Sequence, residues 1–324
     1  MKTSTITIIG LDQIGLSIAA ALKKGPMDFN IVGHDKNQNH VKLASQMEDG
    51  PDKIENNLPR AAAAGDIVVL SLPFTQVEST LQVIADDIQE HTLVIDLSKV
   101  KGPGIKWAQK YLWQGHYIGA RPIFAADQFL QTSDFVSSDL FKNSAFCVTP
   151  SVDVDPKAVE TAVNFGRLLG AQPYFLDPIE YDSLVQGVET LPGLMGAAMF
   201  SALHKSAGWR DMLRFADRSF AMTTLPLEED VSNLAALALN DKLATLRWLT
   251  AVMDELKGLQ RWIYAADTES LAALLESMQN DREQWLHDRK ENDWIEGKQE
   301  PIGGFGLGER MLGGFLQQRI NKKG

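Results

Sequence analysis

The 324 residues are enough for two domains, each with its own core. A composition of 44% hydrophobic and 23% charged residues is ordinary globular, and a formal charge of −11 argues against a nucleic-acid surface. No apolar run approaches the ~20 residues of a membrane span, no leader precedes the first apolar run, and the lone Cys147 permits no intrachain disulfide, so a reducing, cytoplasmic compartment is expected.

Thr5-Ile6-Thr7-Ile8-Ile9 is a β-branched run that predicts a buried strand. Gly10-Leu11-Asp12-Gln13-Ile14-Gly15 follows at once, and residues 16–24 read as a helix closed by Gly25-Pro26. A second apolar run, 30–33, ends at His34-Asp35. Strand, glycine turn, helix, strand and acid is the dinucleotide-binding order. Gly10 permits the tight turn, and Gly15 lets the helix pack close to the strand. The helix N-terminus offers unpaired N–H groups and partial positive charge to a pyrophosphate. Asp35, 20 residues past Gly15, can accept hydrogen bonds from ribose hydroxyls. That favours NAD, because a 2′-phosphate would be repelled; NADP stays open. The middle glycine of G-x-G-x-x-G is Asp12 here, which adds a side chain and a charge where bare backbone should approach the pyrophosphate. The alternative role for Asp12 is a helix N-cap that serves stability alone and closes an empty cleft.

Further along, short helices are expected over 41–47 and 56–64, separated by Asp49-Gly50-Pro51. Residues 67–72 are a continuous apolar strand typical of a parallel sheet covered on both faces, ending at Leu72-Pro73. Helix 77–88, strand 93–96 ending at Asp96, polar turn 98–103, helix 105–112 and strand 117–122 follow. A polar loop spans 127–139, then strand 145–149, helix 156–169 and strand 173–176. Cys147 sits in an apolar run, which points to a buried structural thiol. This alternation means an α/β fold with a doubly wound, mostly parallel Rossmann-type sheet over residues 1–178. Beyond 178 no strand candidate remains. Residues 179–191 and 194–204 read as helices separated by Pro192-Gly193, followed by helices over 212–219, 227–257 and 269–287. An all-helical domain over 179–290 is expected, pairing with a second copy as a homodimer, with a glycine-rich tail over 291–324. The six histidines show no ligand spacing, so no metal site is expected.

The motifs in this order resemble the prephenate dehydrogenase family. Residues 8–22, Val32-Gly33-His34-Asp35, Leu72-Pro73 and Asp96-Leu97-Ser98-Lys99-Val100-Lys101-Gly102 are similar to its cofactor domain. Gly119-Ala120-Arg121-Pro122-Ile123 resembles a Gly-Gly-His-Pro-Met segment. Glu180-Tyr181-Asp182 and Glu189-Thr190-Leu191-Pro192-Gly193 resemble its Glu-His-Asp and Ser-His-Leu-Pro-His helix. Residues 208–216 resemble its Gly-Phe-Arg-Asp-Met-Thr-Arg-Ile-Ala segment. The resemblance implies an NAD(P)-dependent oxidoreductase in tyrosine biosynthesis. Such an enzyme oxidises prephenate or arogenate at the ring hydroxyl carbon, with hydride transfer and loss of CO2. It also implies coenzyme contacts at Gly10, Leu11, Asp12, Gln13, Ile14, Gly15, Asp35, Leu72, Pro73 and Asp96, and a carboxylate grip by Arg214 with Arg210.

The departures fall on the chemistry. The family histidine that takes up the hydroxyl proton is Arg121 here, which cannot act as a base near neutral pH. The family serine before Val-Lys-Gly is Lys99, and the second-domain histidines fall on Tyr181, Thr190 and Gly193. Losing a positioned base costs ~10²–10⁴ in rate. Lys99 can substitute if Arg121 beside it disfavours the charged amine. Otherwise Lys99 and Arg121 are two cations that bind a small anionic substrate. Arg210 and Arg214 have a blander reading as a surface pair bridged to Asp211 or Asp217. Tyr181 and Tyr117 are expected to pack rather than act as acids. Two functions stand: a dehydrogenase of this family, or a catalytically degenerate relative that binds a nucleotide or anion or serves as a dimeric interaction protein.

Overall fold

The computed structural model describes residues 3–125, 136–228 and 230–291. The glycine-rich tail and most of the 127–139 loop lie outside the described residues. The chain divides into a sheet unit ending at Pro178, joined by residues 282–291, and a helical unit, Ile179–Asp281.

The sheet unit runs β1 (Thr5–Ile9), α1 (Gln13–Lys24), β2 (Asn30–His34), α2 (Gln38–Gln46), β3 (Lys53–Ile54), α3 (Leu58–Ala64) and β4 (Ile67–Leu70). It continues α4 (Phe74–Ile84), β5 (Leu93–Asp96), α5 (Gly102–Tyr111), β6 (His116–Ile123), β7 (Ala145–Thr149), α6 (Pro156–Leu168) and β8 (Gln172–Phe175). Its eight strands lie in the order β3-β2-β1-β4-β5-β6-β7-β8. All neighbours are parallel except β6 and β7, which pair antiparallel with Arg121 opposite Cys147. The doubly wound Rossmann-type sheet is therefore present, with one reversed junction. Chain direction along the sheet switches between β1 and β4, and the crevice outside those strand ends is where such sheets bind ligands.

The apolar runs are continuous because both sheet faces are covered. Along β4, Ile67 and Val69 join a core with Leu16 and Ile18 of α1 and Phe165 of α6. Val68 and Leu70 point the other way, to Ala62 of α3, Leu81 of α4 and Ala108 of α5. The edge strand β3 escapes sequence reading because it has only two residues and follows directly on Gly50-Pro51.

The helical unit differs from expectation at three joints. Pro192-Gly193 does not separate two helices. Instead α7 (Pro178–Val185) passes through a π-helical turn (Gln186–Thr190) into α8 (Leu191–His204). The wide turn accommodates the proline, which sits in the first turn of α8 and lacks the N–H that a helix interior requires. Gly193 provides space: a Cβ there would lie 2.9 Å from the Leu234 side chain. The helix expected over 212–219 is broken between α9 (Trp209–Met212) and α10 (Arg218–Thr224), where Asp217 caps α10. The long helix expected over 227–257 is split into α11 (Val231–Asn240) and α12 (Lys242–Tyr264) by Asp241, which leaves helical geometry to cap α12. The last described helix, α13, spans Thr268–Glu291. No helix among the described residues is long and apolar enough to cross a membrane.

Gln186 joins three of these helices. Its Nε2 donates to Leu237 O at 3.1 Å, and its Oε1 accepts from Thr245 Oγ1 at 3.2 Å. It is 1% exposed, so without it Leu237 O would lose a buried donor, while Thr245 Oγ1 would keep its 2.9 Å bond to Ala238 O. Gln186→Leu is expected to destabilise the helical unit by about 2 kcal/mol, read as a lower urea midpoint of the helical far-UV signal.

Candidate functional site

The turn between β1 and α1 is built on close backbone approach. Gly10 has φ +99°, and a Cβ on it would lie 1.9 Å from Ser71 O, just past β4. A Cβ on Gly15 would lie 2.0 Å from Gly10 O. Leu72 packs over the same turn, its Cδ2 3.3 Å from that Gly10 position. Leu11 is fully buried, so its side chain belongs to the core. Its N–H donates to Asp35 Oδ2 at 2.7 Å and is not aimed into the crevice.

Asp12 is the N-cap of α1. Its Oδ1 accepts from Gly15 N at 2.9 Å and from Ser71 Oγ at 2.8 Å. The capping alternative is thus what this side chain does structurally. Burial pushes its carboxyl above the ordinary range; the bonds from Gly15 and Ser71 and the nearby His40 oppose that, and Asp35 adds to it. Ile14 N makes no hydrogen bond among the described residues and remains at the helix N-terminus.

Asp35 is held at the end of β2. Beyond Leu11 N, its Oδ2 accepts from His40 Nδ1 at 2.8 Å, and its Oδ1 accepts from Asn37 N at 2.7 Å. A carboxylate has about four acceptor sites, so Oδ1 retains one for a hydroxyl. The turn therefore fits a dinucleotide in two respects, the helix N-terminus with its unbonded Ile14 N–H and the ribose acceptor at Asp35. Asp12 alters the pyrophosphate end. An ionised carboxylate ~4 Å from a phosphate charge meets a repulsion of about 4 kcal/mol at an effective dielectric of ~20.

Asp96 requires correction. It is expected at the coenzyme, but its side chain is fully buried and holds the loop after β5. Oδ1 accepts from Ser98 N at 2.8 Å, and Oδ2 accepts from Ser98 Oγ at 2.9 Å and Tyr117 OH at 2.6 Å. Tyr117 thus packs and anchors, as expected. Lys101, also fully buried, donates from Nζ to Ala120 O at 2.8 Å, Asp96 O at 3.1 Å and Ser98 O. Its stem lies against Gly119, where a Cβ would come within 2.8 Å of Cδ. Lys101 therefore ties the end of β5, its loop and β6 into one piece. On that piece stand Lys99 and Arg121, both half-buried, with Arg121 Nη1 donating to Leu97 O at 3.2 Å. Cys147 is fully buried, and burial pushes its thiol up to about 11, so it is inert.

Gly10, Asp12, Gly15, Asp35, Leu72, Pro73, Lys99 and Arg121 thus gather at the C-terminal edge of the parallel strands. Arg210, in α9, and Arg214, just after it, are exposed on the helical unit. Neither forms an ion pair with Asp211 or Asp217 among the described residues, which removes the bridged-pair reading. Sequence reading missed Ser71 and His40. Both are polar residues at strand or helix positions whose roles appear only once β4 and α2 flank the turn.

The family model described as "Prephenate dehydrogenase, nucleotide-binding domain" matches residues 18–175. Prephenate dehydrogenase of Bacillus subtilis is 27% identical over 239 residues, covering 67% of this chain and 62% of that protein. The Lactococcus lactis prephenate dehydrogenase is 26% identical over 238 residues, covering 68% and 63%. The chain thus spans less than two thirds of the length of either curated relative. Among solved structures, prephenate dehydrogenase from A. aeolicus in complex with hydroxyphenyl propionate and NAD+ superposes with a TM-score of 0.76. It is 20% identical and covers 88% of this chain and 99% of that one. Synechocystis arogenate dehydrogenase gives 0.66 at 22% identity, covering 87% and 99%. These two establish the likeness of fold.

Lys101→Met keeps the stem and deletes the cation, leaving three buried carbonyls without their donor. The expected loss is about 3 kcal/mol of stability, measured as a shift in the urea midpoint. Lys101→Arg is not expected to rescue it, because the fully buried head is enclosed by the carbonyls of Asp96, Ser98 and Ala120 and a wider guanidinium does not fit among them.

Proposed function

The sheet unit of this chain belongs to the prephenate/arogenate dehydrogenase family, and from that premise we propose that the protein is an NAD-dependent dehydrogenase of a small anionic substrate, with prephenate the first candidate. The observation that carries this is the crevice at the strand switch point, where the N-terminus of α1, drawn onto the end of β4 by Gly10 and Gly15, lies beside the Asp35 carboxylate. Asp35 holds the ribose through its remaining acceptor site and disfavours a 2′-phosphate, so NAD is the coenzyme of choice. Asp35 and the N-terminus of α1 would hold NAD there, and the coenzyme would supply the hydride acceptor for oxidation of a substrate carbinol with loss of CO2.

Lys99 and Arg121 do the remaining work at the edge of β5 and β6. Arg121 stays charged and fixes substrate charge. Lys99 is assigned the hydroxyl proton, the task the family gives to a histidine. Arg210 and Arg214 are assigned to the substrate carboxylates by the resemblance of their segment, a task suited to a planar guanidinium. A reducing, cytoplasmic setting suits the lone buried thiol.

The helical unit supports a homodimer. Over the 23 residues of α12 only Ala244 and Thr245 are buried, while Leu243, Leu246, Met253, Leu256 and Ile263 are exposed. An apolar helix so bare lacks the packing that normally stabilises a helix, and a second copy of the same face supplies it. Sedimentation equilibrium is expected to give twice the chain mass. A monomer at micromolar concentration refutes the pairing.

One pair of observations favours a second reading, a relative without catalysis: Asp12 caps the helix where a phosphate should sit, and arginine replaces the base. NADH formation from prephenate separates the two. Turnover is expected from the unaltered protein with Lys99 as its base, and is measured beside Arg121→His, which installs the family histidine. Turnover by neither protein sinks prephenate as substrate, and turnover by the variant alone establishes the second reading.

A further inference from the structure

Asp12 takes both of its hydrogen bonds on one oxygen. Gly15 N and Ser71 Oγ converge on Oδ1, and Oδ2 takes no bond among the described residues. The charged groups that bear on it are Asp35, from the end of β2, and His40, from α2; Ser71, from the end of β4, is uncharged. His40 is itself bonded to Asp35. The turn thus carries two carboxylates and one imidazole.

A dinucleotide pyrophosphate carries two negative charges, and its oxygens only accept hydrogen bonds. Beside an ionised Asp12 it would set acceptor against acceptor with no proton between them. A single proton on Oδ2 changes both features at once: one charge disappears, and Oδ2 becomes a donor. Oδ1 keeps its two bonds, so the helix cap is undisturbed.

Resting on the NAD reading above, we propose that Asp12 binds the coenzyme as the neutral acid, taking one proton from solvent as the pyrophosphate docks and donating it in a hydrogen bond from Oδ2 to a phosphate oxygen. The aspartate then replaces, with a side-chain donor, the close backbone approach that a glycine gives at this position. Its burial at the turn already favours the uncharged form. Coenzyme affinity consequently falls as pH rises. The loss is about tenfold per unit above the pH at which free Asp12 ionises.

The test is calorimetric titration of NADH into the full-length protein near pH ~7.5, in buffers of different ionisation enthalpy, which counts protons. The unaltered protein is expected to take up close to one proton per NADH. Asp12→Asn keeps the cap and a permanent donor, so it is expected to take up none and to hold its affinity from about pH 6 to about pH 9. Thermal melts of the variant verify that it folds. Binding by the unaltered protein without proton uptake overturns the proposal. So does uptake that persists in Asp12→Asn and vanishes in His40→Gln, which would assign the proton to His40. Binding by Asp12→Gly alone means bulk, not charge, is the obstacle, and also overturns it. If no form binds NADH at any pH, the coenzyme reading itself fails and the proposal falls with it.

Discussion

Gly10 passes under the Ser71 carbonyl so closely that any side chain would collide with it, a Cβ falling 1.9 Å from that oxygen. The contact ties the turn after β1 to the residue that ends β4, and those are the two strands between which the sheet changes direction. Gly15 sits equally close to Gly10, so the first turn of α1 is drawn onto the same point. Ser71 acts twice: its carbonyl confines Gly10 and its hydroxyl donates to Asp12. That second bond explains how an aspartate is tolerated at the middle of the motif. The α1 N-terminus and Ser71 already present two donors, and a carboxylate accepts both without displacing any backbone.

A second constraint frames the other end of the crevice. Lys101 is a lysine with no exposed surface, and its ammonium is held by carbonyls from β5, the following loop and β6. Burying an ammonium is tolerated only when its donors are satisfied. The charge therefore fixes the loop that carries Lys99 relative to the strand that carries Arg121. Asp96 serves the same frame through Ser98 and Tyr117. Both residues belong to the motif that resembles the family, yet their buried heads place them behind the site. They hold the loop that carries Lys99.

Much of the fold was legible because it follows from local rules. Continuous apolar runs at 67–70 and 93–96 need a sheet covered on both faces, and the glycine turn after β1 needs the switch-point arrangement. What was not legible depends on contacts between elements. Pro192-Gly193 reads as a break by itself, whereas a preceding π turn and a leucine packed on the glycine make it continuous helix. Asp241 and Asp217 look like exposed helix positions until their capping bonds are seen. The place of Asp35, at the end of β2 beside the glycine turn, follows from spacing alone. Asp96 was misassigned because strand-end position says where a residue lies, not which way its carboxyl turns. His40 carried no signal at all; only the fold of α2 against β2 brings it to Asp35.

The two departures from the family pattern are opposite in sign and lie at opposite functional ends of one sheet edge. Asp12 adds negative charge where a dinucleotide brings its pyrophosphate, and Arg121 adds permanent positive charge where the family keeps a titratable histidine. Together they leave the formal charge of the edge close to what a neutral glycine and histidine would give, but they separate it. Such a separation weakens an anion at the turn and strengthens one beside β6. On the family reading, the substrate is a dianion and the coenzyme is held by its pyrophosphate. The same pair of changes therefore shifts binding free energy from the coenzyme to the substrate. A proton held at Asp12 would cancel the first effect and leave the second, so the protonation state of one carboxyl decides whether this edge is a coenzyme site or only an anion site.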